Sequence, residues 1–415
     1  MKLNRMLIIG LGAMFLFSCH REGCTDYTAL NYDSKAKNDN GTCIYNDGSG
    51  PGGGGPGGGG GGTLPIQITN SFSGTTLEDQ TSNTGVADYY VQGTWTISDA
   101  TIIKPGVRIM MKAGSKIYID ANGSLDATGT LTNPIEIFGE QPTKGFWNGV
   151  SFNSNNLNNR LIYCTVSDGA DVSWAEPGMI SLNGNAQVVI QNSQFYNGDS
   201  YGIALDDVTC KLPNFQNNYF NNFKEEPIRV EALHQCNFID NSISFGSNNN
   251  KNRVYVEGAN YTENTIVSAF GVPYFIATSF EINGGVTSVN AGVEFIMAAN
   301  TNINVGTSGA LTTNGTAGNR VIFRGEQPTK GFWRNLVFSS NNTNNDISYT
   351  DVRDGSEVWN TPASVYIATN ARLAMDNVHV SNSSSAALGA HTTATFVDNG
   401  GNSWSNCDGG GGVLP

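Results

Sequence analysis

The chain has 415 residues, of which only 14% are charged, and it carries a formal net charge of −13. That acidity argues against nucleic acid and against anionic lipid surfaces as partners. Four scattered histidines, His20, His234, His379 and His391, show no zinc-ligand spacing.

Two positive charges, Lys2 and Arg5, precede an uncharged apolar run over residues 6–17. The run is too short for a stable membrane-spanning helix and has the length of a signal-peptide core. It ends Leu16-Phe17-Ser18-Cys19. This resembles the lipobox of bacterial lipoproteins, with Phe17 bulkier than is usual at its position. The resemblance implies a signal peptide over residues 1–18, cleavage before Cys19 and diacylglycerol on the Cys19 sulfur. The membrane is then a partner through the lipid. The implied address is the bacterial cell envelope, at the outer membrane or cell surface.

Residues 19–47 hold a second motif. Cys24 and Cys43 flank GCTDYTALNYDSKAKNDNGTC. This is similar to a short module of exported Bacteroidetes-type proteins, written GCTDxxAxNYxxxAxxDxGxC. Gly23, Cys24, Thr25, Asp26, Ala29, Asn31, Tyr32, Ala36, Asp39, Gly41 and Cys43 match it. The two cysteines are expected to form a disulfide, since so small a piece cannot bury a core unaided. Asp26, Asp33, Asp39 and Asn40 are candidates for a calcium ion, the one cofactor considered; solvated turn residues are the plainer reading. Residues 48–64 open GSGPGGGGPGGGGGG, a flexible tether that buries nothing.

The body then says one thing twice. GEQPTKGFW occupies residues 139–147 and again 325–333, an offset of 325 − 139 = 186. At that offset Gly106 meets Gly292, Gly123 meets Gly309, Gly129 meets Gly315, and Asp168-Gly169 meets Asp354-Gly355. One residue is then dropped, and Ala186 and Asn192 meet Ala371 and Asn377. Short alternating runs such as Lys116-Ile117-Tyr118-Ile119 and Ile135-Glu136-Ile137-Phe138 recur, punctuated by Gly, Asn or Pro. That is a strand signal at period two with close turns. Further strand-like runs lie at 188–195, 215–220 and 236–241. No sustained helical period is present. Two-residue hairpin turns are nearly absent, which disfavours a sandwich. Short strands with Asn- and Gly-rich corners predict a parallel β-helix, because Asn tolerates the left-handed corner and bonds its stacked neighbour.

The segments GVRIMMKAGSKIYIDANGSLDATGTLTNPIEIFG (106–139), WNGVSF (147–152) and the I-x-N-S-x-F run at 190–195, with their second copies, resemble right-handed parallel β-helix lipoproteins of the pectin-lyase-like superfamily. The expected fold is therefore all-β, a single continuous solenoid of two homologous halves, 65–260 and 261–407, with a Gly-rich tail at 408–415. Coils of roughly 20–25 residues give about fifteen coils. The 186-residue unit is then about eight whole coils, which would place both GEQPTKGFW loops on the same side of the rod.

The resemblance implies that polysaccharide lyases or hydrolases can occupy this fold, with acids and bases on the outer face of one sheet. Motifs of the hydrolase type, NTD, GHG and RIK, are absent. Asp206, Asp207 and Arg229 are the catalytic candidates, set against solvated turns. Trp147, Trp333, Asp168, Asp171, Asp354 and Glu357 are candidates for binding a sugar or cation; Asp-Gly turn chemistry and tryptophans folded over the rod are the plainer readings. Gly198-Asp199-Ser200-Tyr201-Gly202 fits G-x-S-x-G by letters but lacks the strand-to-helix turn a nucleophile elbow needs. Cys210 and Cys236 are spaced to stack as a disulfide or as buried thiols; the pairing of Cys164 and Cys407 is open. The expected function is a lipid-anchored binding or adhesive rod, toward a polysaccharide or a surface protein, with a carbohydrate-active enzyme as the alternative.

Overall fold

A computed structural model describes residues 22–25, 32, 35–39, 64–81, 83–173, 176–356, 361–411 and 413–414. Two compact units divide at Leu64 and Pro65. In the first, Glu22–Gly23 pairs in parallel with Asn38–Asp39. Cys24 is buried; Cys43 and the lipobox, including Cys19, lie outside the described residues. So do the calcium candidates Asp26, Asp33 and Asn40 and the side chain of the fourth, Asp39.

The second unit is a parallel β-helix. One sheet of thirteen strands runs its length, from Thr94–Ile97 to Ser403–Ser405. It passes through both copies of the repeat without a break, so the body is one rod. We call it the long face. The chain leaves it for a second face, a five-stranded sheet ending at Val189–Gln191 and a six-stranded one beginning at Phe280–Ile282. A third face returns it, with eight strands ending at Ser244–Phe245 and six more beginning at Thr265–Val267. Thirteen strands on the long face replace the fifteen coils expected. The interval between stacked positions there is uneven: Phe152 to Leu182 spans 30 residues and Val254 to Tyr274 spans 20.

The two copies do not occupy the same faces. Arg108–Met111 lies on the third face, but its counterpart Glu294–Met297 lies on the long face. Likewise Lys116–Ile119 is on the long face and its counterpart Ile303–Val305 on the second. Counting strands along the third face, the repeat advances seven coils and then one further face. The expectation of a whole number of coils is therefore wrong. The first GEQPTKGFW loop sits at the corner entering the long face, the second at the corner leaving it.

Alternation explains the core. Ile109, Met111, Ile117, Ile119, Ile137 and Val150 point inward and are buried. Phe195, Phe220, Phe245 and Phe270 recur every 25 residues and stack, with centroids 5.0, 6.0 and 5.9 Å apart. Corners are turned by left-handed residues: Tyr163, Asn192 and Asn217 in the first half, Tyr349 and Asn377 in the second. The second face breaks near its middle because residues 236–241, expected as strand, begin inside a six-residue 3₁₀-helix, Leu233–Phe238. Cys210 and Cys236 are buried free thiols there, not a disulfide.

Candidate functional site

Three regions matter for function, and two of them hold the candidates visible in the sequence. In the first, both repeated loops turn out to be packing devices. Trp147 and Trp333 are 0% exposed. Their indole N–H groups donate to the carbonyls of Ser167 (2.7 Å) and Arg353 (2.6 Å). Neither ring face is available to a sugar. Asp168 and Asp354 are buried too. Asp168 accepts from the Gly139 amide (3.2 Å), the Ser167 hydroxyl (2.8 Å) and the Asn197 side-chain amide (2.7 Å). Asn222 bonds Asn197 in turn (3.0 Å). The second copy repeats the ladder: Asn382 donates to Asp354 (2.8 Å) and Asn406 to Asn382 (2.9 Å). These buried aspartates start amide ladders inside the protein. Asp171 accepts from the Ser173 amide in a short turn (2.8 Å). Glu357 lies outside the described residues.

The second region brings Asp206 and Arg229 together on the long face. Asp206, Glu231 and Glu257 each directly follow a strand, Tyr201–Leu205, Ile228–Val230 and Val254–Val256. They therefore stack on three successive coils, ~4.8 Å apart. Arg229 donates to Asp206, and to Glu231 and Glu257 at 3.3 Å each. Its guanidinium lies 6.0 Å from the Tyr201 ring centre, and Tyr255 packs on Tyr201 at 5.7 Å. Burial raises the carboxyls of Asp206 and Glu231 above the ordinary range, against the pull of Arg229. One Asp206 oxygen is buried without a hydrogen-bond partner among the described residues. Asp207 points elsewhere: it caps a turn, accepting from the Thr209 amide (2.8 Å) and hydroxyl (2.7 Å). Asp206 and Asp207 are adjacent in sequence but meet different partners, and the acidic neighbours of Asp206 are one and two coils away. Sequence reasoning misses Glu257, although residues 206, 231 and 257 recur at coil spacing. No group of three or more His, Cys, Asp or Glu among the described residues is arranged to hold a metal. Here the arginine occupies the centre of the acid column.

The third region has no signature in the sequence. Where the 3₁₀-helix replaces a strand, the outside of the second face is indented into a groove of about 600 Å³. Asn155, Asn185, Gln187, Thr209, Lys211, His234, Asn237, Phe238, Glu263 and Asn264 line it. Part of this lining is structural: Asn237 donates to the Asn264 carbonyl (3.0 Å) and accepts from the Ile266 amide (2.6 Å). His234 bonds the Val208 carbonyl through Nε2 (3.0 Å) and packs on Tyr261 at 5.6 Å. Its Nδ1 is 4.0 Å from Glu263. Burial lowers the His234 imidazole below its ordinary value. Two further grooves on the same face are lined by Asn156, Asn159, Gln191 and Asn214, and by Asn302, Asn304 and Asn335.

No family model, no curated protein and no solved structure matches this chain.

Proposed function

We propose that the protein is a cell-envelope lipoprotein whose β-helix is a binding rod for glycans. The lipid on Cys19 would supply the membrane attachment, the Cys24–Cys43 module a disulfide-closed base, and residues 48–64 the tether. The observation that carries the binding reading is the amide-lined outside of the second face. Amide side chains both donate and accept, as a hydroxyl-rich ligand requires. The test is a glycan-array screen of the full chain beside membrane fractionation of Cys19→Ala. Retention of glycans on the array and release of Cys19→Ala from membranes are expected. A blank array sinks the binding reading, and undiminished membrane retention sinks the anchor.

A second reading, a carbohydrate-active enzyme, has one observation behind it: the stacked Asp206, Glu231 and Glu257. The raised carboxyls of Asp206 and Glu231, on adjacent coils, suit acid–base work on a glycosidic bond. Against it, Arg229 is engaged by all three. Product release from a polysaccharide panel, abolished by Asp206→Asn or Glu231→Gln, would favour this reading over pure binding.

A further inference from the structure

The central groove on the second face is specific enough to name the class of ligand, on the footing that the rod binds glycans. Its lining comes from five successive coils, represented by Asn155, Asn185, Lys211, His234 and Glu263. Four coil steps make a trough ~19 Å long, parallel to the rod axis. One coil step is close to the length of one pyranose ring in an extended chain, so a linear glycan laid along the rod meets equivalent protein positions ring after ring.

The chemistry of the lining decides the charge of that glycan. The titratable groups facing the groove are Lys211, His234, Glu263 and Cys210. Burial keeps the Cys210 thiol un-ionised, pushed up to about 12. His234 is held toward its neutral form. Lys211 and Glu263 cancel. The groove is thus close to neutral inside a chain of net charge −13, and a polyanion gains nothing there while suffering long-range repulsion. Hydrogen bonding is available instead. Asn155 and Asn185 are exposed, and their side-chain amides have no hydrogen-bond partner among the described residues. Phe238, half-exposed, supplies an apolar patch for the C–H face of a ring.

We infer that the groove formed where the 3₁₀-helix interrupts the second face is a binding site for a neutral, unbranched glycan of about four rings lying along the rod axis.

The test titrates the full chain with neutral linear oligosaccharides of two to eight rings (cello-, xylo-, manno- and laminari- series) and with oligogalacturonate as the anionic control. Affinity for at least one neutral series should climb to about four rings and then level off. Asn185→Ala and Phe238→Ala should each weaken it by about fivefold or more. Gln194→Ala, exposed on the third face and outside every amide-lined groove, should leave it unchanged. All three positions are at the surface, and far-UV circular dichroism will verify that each variant is folded. If a neutral glycan binds but Asn185→Ala and Phe238→Ala bind it as well as the parent, the groove assignment is overturned and the glycan reading stands. Binding of oligogalacturonate alone overturns the ligand class. If none of the probes and no array glycan binds, both the inference and the reading beneath it fall.

Discussion

The two copies of the repeat share their local packing and differ in where the rod presents it. Trp147 and Trp333 are buried and bond a carbonyl twenty residues on. Ser154 and Ser340 bond the carbonyls of Gly123 and Gly309 at 2.6 and 2.7 Å. Asn159 and Asn345 accept from the amides of Leu125 and Leu311 at 3.1 and 3.2 Å. Yet each feature of the second copy lies one face further round. The difference teaches that the inherited unit is a succession of strands and corners, with no fixed phase against the coil. Any face of the helix can accept it, because all three demand the same thing: alternating inward apolar residues and a left-handed corner.

If that is right, equivalent changes in the two copies must cost alike. The largest effect should come from Trp147→Ala and Trp333→Ala, each destabilising by about 3–5 kcal/mol in urea unfolding. A change that is costly in one copy and harmless in the other would break the equivalence. Asp168→Ala and Asp354→Ala should follow, at about 2 kcal/mol each, since each strands the amide ladder above it. One pair has diverged in a matched way and can sharpen the comparison. Cys164 meets the Ala127 carbonyl (3.3 Å), whereas the equivalent Thr350 and Thr313 share a hydroxyl bond of 2.7 Å. A double-mutant cycle on Ala127→Thr and Cys164→Thr should show favourable coupling of about 1 kcal/mol; additive costs would mean the faces are not interchangeable at this site.

Acid should separate the join from the second copy. Burial lowers His234, so the folded chain resists a proton that the unfolded chain accepts. Its contribution is whole above the ordinary imidazole value of ~6.5 and is lost as pH falls through that value, levelling below the folded one. For Asp351, burial opposes ionisation but hydrogen bonds from Arg353 and Arg320 outweigh it, and its carboxyl is lowered. That contribution is present above the ordinary carboxylate value of ~3.9 and disappears only as pH drops through the lower folded one. Urea midpoints from pH 7.5 to 3 should therefore lose an upper step in His234→Gln and a lower step in Asp351→Asn. Identical pH profiles for parent and variants would contradict both assignments.

The fold was legible because period-two alternation and Asn-rich corners report directly on burial and backbone handedness. The phase was not, since it depends on coil lengths between 20 and 30 residues and on the 3₁₀-helix at Leu233–Phe238. Those are settled by packing across coils, which no local pattern records. The site followed the same division. Asp206 and Arg229 were visible as residues, but Asp206 and Asp207 are adjacent in sequence and diverge in space, while Glu257 is 51 residues from Asp206 and shares its arginine. The groove depends on a missing strand, and Asn155 and Asn185 look like any other turn asparagines in the sequence.

The one-face shift is tested most directly by disulfide mapping of the outward column through the join. Tyr255 is in register with Phe275, and Phe275 with Ile296, on the long face. Parallel neighbours ~4.8 Å apart are within reach of a disulfide. In a Cys407→Ser background, the cysteine pairs 255/275 and 275/296 should cross-link under mild oxidation and be found by mass spectrometry. The pair 275/304 should not, since Asn304 lies on the second face. A 275/304 cross-link without 275/296 would mean that the second copy repeats the faces of the first, and the one-face shift would be wrong.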